Sequence, residues 1–168
     1  MLIRFEDMPG HSRVWIFQAE RTLGEGEEMM LDILIRNFLE DWTSHQRTIR
    51  ASYEIRHHRF VILAVDEDQV GASGCSIDKL FRFVQSLESE LGFVLLDKQK
   101  IALQQAGEIV SVPLHTLKEK VRAGEMDKEE KYFDLMIAQK ESLGEFLKPL
   151  SSGWLARHLS NEFKDHAR

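Results

Sequence analysis

The chain of 168 residues lacks several features that mark particular classes of protein. Its one cysteine, Cys75, excludes an intrachain disulfide and a cysteine-based zinc site. Cysteine usage of this kind is typical of a reducing cytosol. No apolar run approaches the roughly 20 residues of a membrane-spanning helix, and the N-terminal stretch carries charges where a secretion signal needs an apolar core. We therefore expect a cytoplasmic protein that does not enter a membrane.

Basic residues are outnumbered and scattered along the chain. Lys and Arg total 22 against 28 Asp and Glu, which gives a net charge of -6. An acidic chain repels nucleic-acid phosphates unless its cations gather on one face, and no basic run is present. We therefore expect no nucleic-acid partner.

Signatures of nucleotide and metal sites are missing as well. Neither the phosphate loop G-x-x-x-x-G-K-[ST] nor G-x-G-x-x-G occurs. The adjacent His57 and His58 lie in a predicted hairpin turn, without metal-ligand spacing around them. The acids at 66–68 could hold Mg²⁺, but turn chemistry after a strand explains them more simply. We expect no metal and no cofactor.

Apolar periodicity predicts strands and helices in alternation. Val14, Trp15, Ile16 and Phe17 form a short run of β-formers within a strand at 13–18. The acidic segment 24–28 ends this strand and opens a helix, whose apolar residues recur at helical spacing over 30–42. A hairpin of strands at 49–55 and 60–65 and a second amphipathic helix at 77–91 follow.

Two further strands are predicted near 94–102 and 109–112, followed by a mostly helical stretch over 114–148. The order β-α-β-β-α-β is that of the ferredoxin-like (split βαβ) plan, an α+β class with two helices on one face of an antiparallel sheet. We predict a single domain over residues 1–168, with a core at about 12–113 and a C-terminal helical extension at about 114–168. The second sheet face needs cover, which the C-terminal helices or a second copy in a homodimer could supply.

This topology predicts that distant residues meet at one end of the sheet, because the third strand should lie antiparallel beside the first. The residues expected there are Arg13, Trp42, His45, Asp66, Glu67, Ser73, Gly74, Cys75, Ser76 and Asp78. Residues that converge in this way are the first candidates for a functional site.

Cys75 is the candidate nucleophile or redox thiol of this group. It is predicted at the N-terminus of the second helix, where the helix dipole lowers a thiol pKa, and His45 could act as its base. Asp78 and the acids at 66–68 oppose that effect. A small buried cysteine in a capped turn is the more frequent situation, so both interpretations stay open.

The same turn could instead bind a small anion or metabolite through exposed N–H groups. Ser73, Gly74 and Ser76 would supply the turn, and Arg13 or Lys79 would assist. Serine caps satisfy such donors in most helices, which is the simpler interpretation. The aromatic rings of Trp15 and Trp42 and the neighbouring pair of methionines at 29–30 are predicted to lie in the core.

Several segments together resemble an uncharacterised bacterial family of about this length, whose members often carry the label "ABC transporter ATPase". The resemblance covers roughly residues 5 to 115 and is carried by RVWIFQAER, WTSH, ASYEI, FVILAVDE and ASGCSID, the last being the most specific string. The family has no established activity, so the resemblance implies no functional residues.

The ATPase label conflicts with the residues, because an ABC-type ATPase needs a phosphate loop, its lysine and a partner signature such as LSGGQ. None of these is present. The leading hypothesis is a non-catalytic binding or interaction module. A Cys75-dependent enzyme and an anion binder at residues 73–78 are the alternatives.

Overall fold

The computed structural model describes residues 1–163 and divides into two compact units. The first unit contains Met1–Asp97 together with Ile137–Leu143. The second contains Lys98–Met136 and the described residues from 144 onward. The organisation as a single domain, with a core at about 12–113 and a C-terminal extension, stays a prediction.

The first unit follows the predicted β-α-β-β-α order, with a small extra hairpin after the first helix. Its elements are β1 (Arg13–Gln18), α1 (Glu25–Asp41), β2 (Thr43–Ser44), β3 (Arg47–Thr48), β4 (Arg50–Arg56), β5 (Phe60–Asp66) and α2 (Gly74–Leu91). A short 3₁₀ turn at Phe5–Asp7 precedes them. Gly92 ends α2 in the left-handed conformation at φ 75°, as its sequence position predicts.

Strands β1, β5 and β4 form an antiparallel sheet in that order, so β5 lies between the other two. Trp15 pairs with Leu63, and Leu63 pairs with Tyr53 on its other side. The predicted neighbourhood of the first and third strands is confirmed, and so is the α+β class.

Both edges of this sheet are covered by short backbone contacts. Val14 N donates to the carbonyl of Ala138, and Lys140 N donates to the carbonyl of Ser12, each at 2.9 Å. At the other edge, Ile3 N donates to the carbonyl of Ala51 at 3.1 Å. Residues near the N-terminus and near position 139 therefore satisfy groups that an open edge would expose.

The two helices of the first unit pack on one face of the sheet. Leu31, Ile35 and Leu39 of α1 and Leu80 and Val84 of α2 are all buried in the same apolar cluster. Burial of such an apolar stripe is the main force that holds an amphipathic helix to a sheet.

The opposite face of the sheet is also buried. Ile62 and Ala64 are 0% exposed, and Val14 and Ile16 are at most 5% exposed.

Helix α1 begins at Glu25, within the acidic segment 24–28 that was expected to open it. Gly24 N donates to Glu27 Oε2 at 2.9 Å, which satisfies one of the free N–H groups at the helix start. Glu25, Glu27 and Glu28 lie at the positive end of the helix dipole and favour this start.

The second unit contains its own antiparallel sheet. Its elements are β6 (Lys100–Gln105), β7 (Glu108–Pro113), α3 (Leu114–Arg122), β8 (Lys131–Phe133), β9 (Leu147–Pro149) and α4 (Gly153–Leu159). The strand order is β7–β6–β8–β9. Strand β6, expected to complete a ferredoxin-like sheet, therefore pairs with β7 and β8 and not with β1.

The predicted helical stretch over 114–148 is wrong beyond α3. Gly124 adopts φ 73° after α3 and closes the helix, with its N–H donating to the carbonyl of Val121. The chain then returns as β8, where Tyr132 pairs with Leu103. Helical spacing of apolar residues did not distinguish this short, buried strand from a helix.

Tyr132 lies at the centre of the second unit's core. Leu103, Leu117 and Leu155 belong to the same buried cluster, and the Tyr132 hydroxyl donates to the carbonyl of Ser152 at 3.0 Å. Burial raises the pKa of this hydroxyl, so it stays a donor.

Within residues 1–163, no helix combines the length and the apolar composition needed to cross a bilayer.

Candidate functional site

The end of α1 meets the start of α2, as the topology predicted. The indole N–H of Trp42 donates to the carbonyl of Ser76 at 3.0 Å, and Ser73 N donates to Ser44 Oγ at 3.3 Å. Trp42 is 2% exposed, which confirms its predicted place in the core. These two bonds join segments that are far apart in sequence.

The start of β1 and the end of β5 reach the same region through Glu67. Its Oε1 atom accepts from Ala72 N at 3.0 Å and lies 3.9 Å from Arg13 Nη1. The Arg13 guanidinium also lies 4.5 Å from the ring centre of Trp15, a cation–π distance. Arg13 therefore stands over an aromatic ring beside the turn that precedes α2.

The serines of this turn are used to begin the helix. Ser73 Oγ accepts from Ser76 N at 3.3 Å, and Ser76 Oγ donates to the carbonyl of Ser73 at 2.8 Å. Ser73 is thus the N-cap predicted by the simpler interpretation. Gly74 has open space around its α-carbon and an ordinary φ, so the turn does not require glycine there.

Cys75 is exposed, so the interpretation as a small buried cysteine, one of the two left open, does not hold. It occupies the first turn of α2 beside the buried Ser76, on the side that faces away from Leu80 and Val84. His45 is also exposed and adopts φ 50° in the tight turn between β2 and β3. In the described chain, no hydrogen bond joins the side chains of Cys75 and His45, so the geometry supplies no thiol–base pair.

Asp66 lies on the other face of the sheet from Arg13. It is 3% exposed, accepts from Arg50 Nη1 at 3.0 Å, and also accepts from Asp68 N at 3.1 Å. It is opposite Arg50 in the β4–β5 pairing. Asp66 therefore anchors the end of β5 and does not reach the turn at residues 73–76.

A histidine that the sequence analysis did not consider completes a small cluster here. Ligand atoms of His11, Asp66 and Asp68 lie within 4.8 Å of one another, and His11 Nε2 is 2.8 Å from Asp68 Oδ1. The Asp66 carboxylate is already bonded to a guanidinium and a backbone N–H, and that guanidinium opposes a cation at the same oxygens. We therefore assign the cluster a structural role.

Asp78 does not join the convergent group. Its carboxylate pairs with Arg82 Nη2 at 2.8 Å, one helical turn further along α2. Lys79 instead lines a groove between the two helices with Phe38 and Phe83, whose rings stack at 4.1 Å. The Asp78–Arg82 pair is a solvated ion pair of the kind that is common on helix surfaces.

At the convergent end of the sheet, the polar groups form hydrogen bonds within the chain that stabilise the fold. The described N–H and hydroxyl groups of Trp42, Ser73 and Ser76 already have partners within the chain. The topology correctly predicts the meeting of these segments. The roles proposed for Arg13, Cys75 and His45 stay predictions.

The outer face of α1 is the feature that the sequence analysis missed. Met29, Met30 and Ile33 are 67%, 47% and 47% exposed, although the methionine pair was expected in the core. Leu31, Ile35 and Leu39 take the buried side, and the helical period then places these three residues on the opposite side. A complete helical projection from residue 25 would have revealed it.

A network of polar groups joins this helix to β4. The Tyr53 hydroxyl donates to Asp32, and Arg36 Nε donates to Asp32 Oδ2 at 2.8 Å. The hydrogen bond from Arg36 lowers the pKa of Asp32, while burial raises the pKa of Tyr53. The two hydrogen bonds from Arg36 and Tyr53 keep Asp32 charged. The bond from Tyr53 also joins α1 to β4.

The chain matches no protein-family profile, no curated protein and no solved structure. The family resemblance described from the sequence therefore stays an expectation.

Proposed function

We propose that this chain is an interaction module that binds a basic, amphipathic segment of another protein through the outer face of α1. The observation that carries the proposal is the exposure of Met29, Met30 and Ile33 side by side on a helix. Exposed apolar groups that lie together, rimmed by charge, commonly mark a surface for a partner.

The three side chains form one continuous surface. Met29 and Met30 are neighbours, and Ile33 lies one turn further along, next to both of them. Asn37 continues the same row toward the end of the helix. The three apolar side chains span about one and a half turns, a surface to which an amphipathic helix can bind by its own apolar stripe.

Methionine suits such a surface because its side chain is flexible and polarisable. It can adapt to differently shaped apolar partners at low cost, and surfaces that bind several related segments often use it. The two adjacent methionines would therefore accept a partner chosen by its pattern of apolar residues.

The charge of α1 favours a basic partner. Arg36 is the one basic residue of this helix, whose acids are Glu25, Glu27, Glu28, Asp32, Glu40 and Asp41. Among the described residues, Glu25, Glu40 and Asp41 form no salt bridge. Lysines or arginines beside an apolar stripe would complement them and speed association.

The same charge disfavours a second copy of this chain on the surface. Two α1 helices facing each other would bring like acids together in a chain of net charge -6. The burial of Ile62 and Ala64 also gives no support to a second copy as the cover of the second sheet face. The homodimer stays a prediction.

A peptide titration tests this proposal. The probe is a designed helix of about 20 residues, with leucines on one face and lysines on the other. A peptide of the same leucine pattern with glutamate in place of lysine is the comparison. Binding is measured by fluorescence anisotropy at two salt concentrations, because screening weakens exposed charge pairs.

Matched variants locate the binding surface. The double variant Met30→Ser/Ile33→Ser should weaken the lysine peptide by roughly tenfold or more. Val110→Ser is the control, because Val110 is 42% exposed in the second unit. Glu25→Gln/Glu40→Gln should reduce both the affinity and its dependence on salt.

The possible results distinguish a basic partner from a second copy of the chain on the α1 surface. The proposal is supported if the lysine peptide binds tightly and the α1 variants weaken that binding. Equal binding of the glutamate peptide, binding insensitive to the α1 variants, or no binding at about 100 μM would overturn it. Self-association that is lost in Met30→Ser/Ile33→Ser, measured by light scattering, would replace the partner with a second copy and also overturn it.

The other expectations keep the status of proposals. The β-α-β-β-α order and the β1–β5–β4 sheet support a ferredoxin-like relationship for the first unit, whereas the pairing of β6 in another sheet does not. The cytoplasmic location, the absence of a nucleic-acid partner and of ABC-type ATPase activity, the Cys75-dependent activity and the anion site at the Ser73 turn all stay predictions.

A further inference from the structure

A groove with a volume of about 400 Å³ lies between α1 and α2. Leu34, Phe38 and Trp42 line its α1 side, and Lys79 and Phe83 line its α2 side. This volume is at the small end of the range typical of ligand sites, about 300–1,000 Å³. The groove therefore suits one bulky side chain of a partner rather than a whole segment of its chain.

Aromatic rings form the floor of this groove. The rings of Phe38 and Phe83 stack with their centres 4.1 Å apart and only 2° between their planes. The ring of Trp42 lies 5.4 Å from that of Phe38, and its indole N–H is bonded to the carbonyl of Ser76. Phe38 and Phe83 are half-buried, so packing holds their rings while part of each ring stays accessible.

The groove continues the exposed surface of α1. Met30, Leu34 and Phe38 follow one another at intervals of four residues, so their side chains lie along one side of the helix. Met30 belongs to the exposed surface, whereas Leu34 and Phe38 line the groove. Eight residues of helix separate Met30 from Phe38, a rise of about 12 Å. A helix that lies along α1 on Met30 therefore reaches the groove about eight residues further along its own length.

Resting on the proposed function, we infer that the partner helix carries an aromatic side chain about eight residues from the apolar residues that contact Met30. This ring binds in the groove, against Phe38 and Phe83. Aromatic rings attract one another in offset-stacked and edge-to-face arrangements, beyond what the burial of their area contributes. An aliphatic side chain at the same position would gain the burial but not this additional attraction.

The charges around the groove favour a neutral side chain inside it. Asp41 lines the groove at the end of α1, beside Glu40, and these acids attract the lysines that flank the partner's apolar stripe. Lys79 lines the α2 side and repels a cation that enters the groove. A lysine or arginine can bind the face of a phenyl ring elsewhere, but here it would meet the ammonium group of Lys79.

Four peptides test the inference. The parent is the lysine–leucine helix of about 20 residues, and two others carry phenylalanine in place of its first or its last leucine. Because a helix can lie along α1 in either direction, only one of these two should gain affinity, by roughly fivefold over the parent. The fourth carries arginine at the position that responds and should bind more weakly than the parent. Fluorescence anisotropy measures all four affinities.

Matched variants of α2 assign the gain to the groove. Phe83→Leu keeps an apolar side chain but removes the stacked ring, so it should abolish the gain and change the parent's affinity by less than about twofold. Phe81→Leu is the control, because Phe81 is also half-buried on α2 but packs edge to face on Phe17 at 5.9 Å and does not line the groove. It should leave the gain intact.

Amide chemical-shift changes in two-dimensional NMR of the unaltered chain locate the ring without any substitution. The phenylalanine peptide that gains affinity should shift the amides of Lys79 and Phe83 more than the parent does. Thermal unfolding of Phe83→Leu, measured in parallel, shows whether a lost gain reflects the groove or the fold.

The results distinguish this inference from the proposed function. If the parent binds and Met30→Ser/Ile33→Ser weakens it, the proposed function stands. The inference is then overturned if neither phenylalanine peptide gains affinity, if arginine serves as well, if the gain persists in Phe83→Leu, or if the α2 amides do not shift. If none of the peptides binds at about 100 μM, both are overturned. A gain that depends on Phe83 but not on Met30 and Ile33 would overturn the shared surface.

Discussion

The indole nitrogen of Trp42 lies 3.0 Å from the carbonyl oxygen of Ser76. This bond connects the residue that follows α1 to the first turn of α2. Both partners are buried, at 2% and 1% exposure, so the bond forms where water does not compete. It places the end of one helix against the beginning of the other.

Replacing Trp42 with Phe should lower the free energy of unfolding by about 1–3 kcal/mol. The phenyl ring keeps most of the apolar contact but cannot donate to Ser76, and it leaves space that the larger ring filled. Urea unfolding followed by circular dichroism measures the change. Trp154→Phe is the comparison, because its indole nitrogen has no acceptor within the described chain. A loss no larger than that of the comparison would contradict the role of this bond.

Truncation of two neighbouring residues of α1 should change the free energy of unfolding by very different amounts. Met30→Ser should change the free energy of unfolding by about 0.5 kcal/mol or less, since the side chain is already exposed. Leu31→Ala, at 0% exposure, should cost about 2–5 kcal/mol. The same denaturation experiment measures both. Equal and large losses would mean that Met30 is packed as the sequence had suggested.

Gly153 should not tolerate a β-carbon. It adopts φ 67° at the start of α4, and a β-carbon there would collide with the hydroxyl of Tyr132. We expect Gly153→Ala to destabilise the chain by about 1–3 kcal/mol, in differential scanning calorimetry. Gly144→Ala is the matched control, with open space around it and an ordinary φ, and should change little. Similar effects of the two substitutions would argue against this strain.

The start of α1 should weaken in acid. The hydrogen bond from Arg21 and the N–H of Gly24 lower the pKa of Glu27 from 4.5 to about 2. Because the folded-state pKa is the lower one, this contribution to stability is complete above pH 4.5 and is lost as the pH falls toward 2. Glu27→Gln should therefore destabilise the chain at pH 7 and have little effect near pH 2. Glu25→Gln is the control in the same helical turn, and an equal pH response in both variants would contradict the assignment.

Cys75 should react in the native state. It is exposed on α2, so a thiol reagent such as Ellman's reagent should label one thiol per chain without denaturant. The rate should change by less than about tenfold when urea unfolds the chain, because burial does not protect the sulfur. A native rate lower by orders of magnitude would mean that Cys75 is buried after all.

The pattern of apolar residues predicted much of the first unit. The strand at 13–18, the hairpin that follows α1 and the second helix all have strong local patterns and clear turn residues. The split βαβ order predicted that β5 lies beside β1, and the short hairpin connection predicted that it also pairs with β4. That order was enough to predict that Trp42 and Ser76 would meet.

Other features depended on tertiary contacts that local patterns do not encode. Tyr132 belongs to a strand because Leu103 lies opposite it, although its own neighbours read as helical. Strand β6 pairs with β8 in a second sheet, which a count of strands along the chain could not reveal. The local sequence pattern therefore determined which segments are apolar and roughly where the turns between them lie. Long-range pairing decided which strands share a sheet, because backbone hydrogen bonds form between strands and not within them. The folded chain also decided that Cys75 faces outward, because its exposure depends on which side of α2 packs against the rest of the unit.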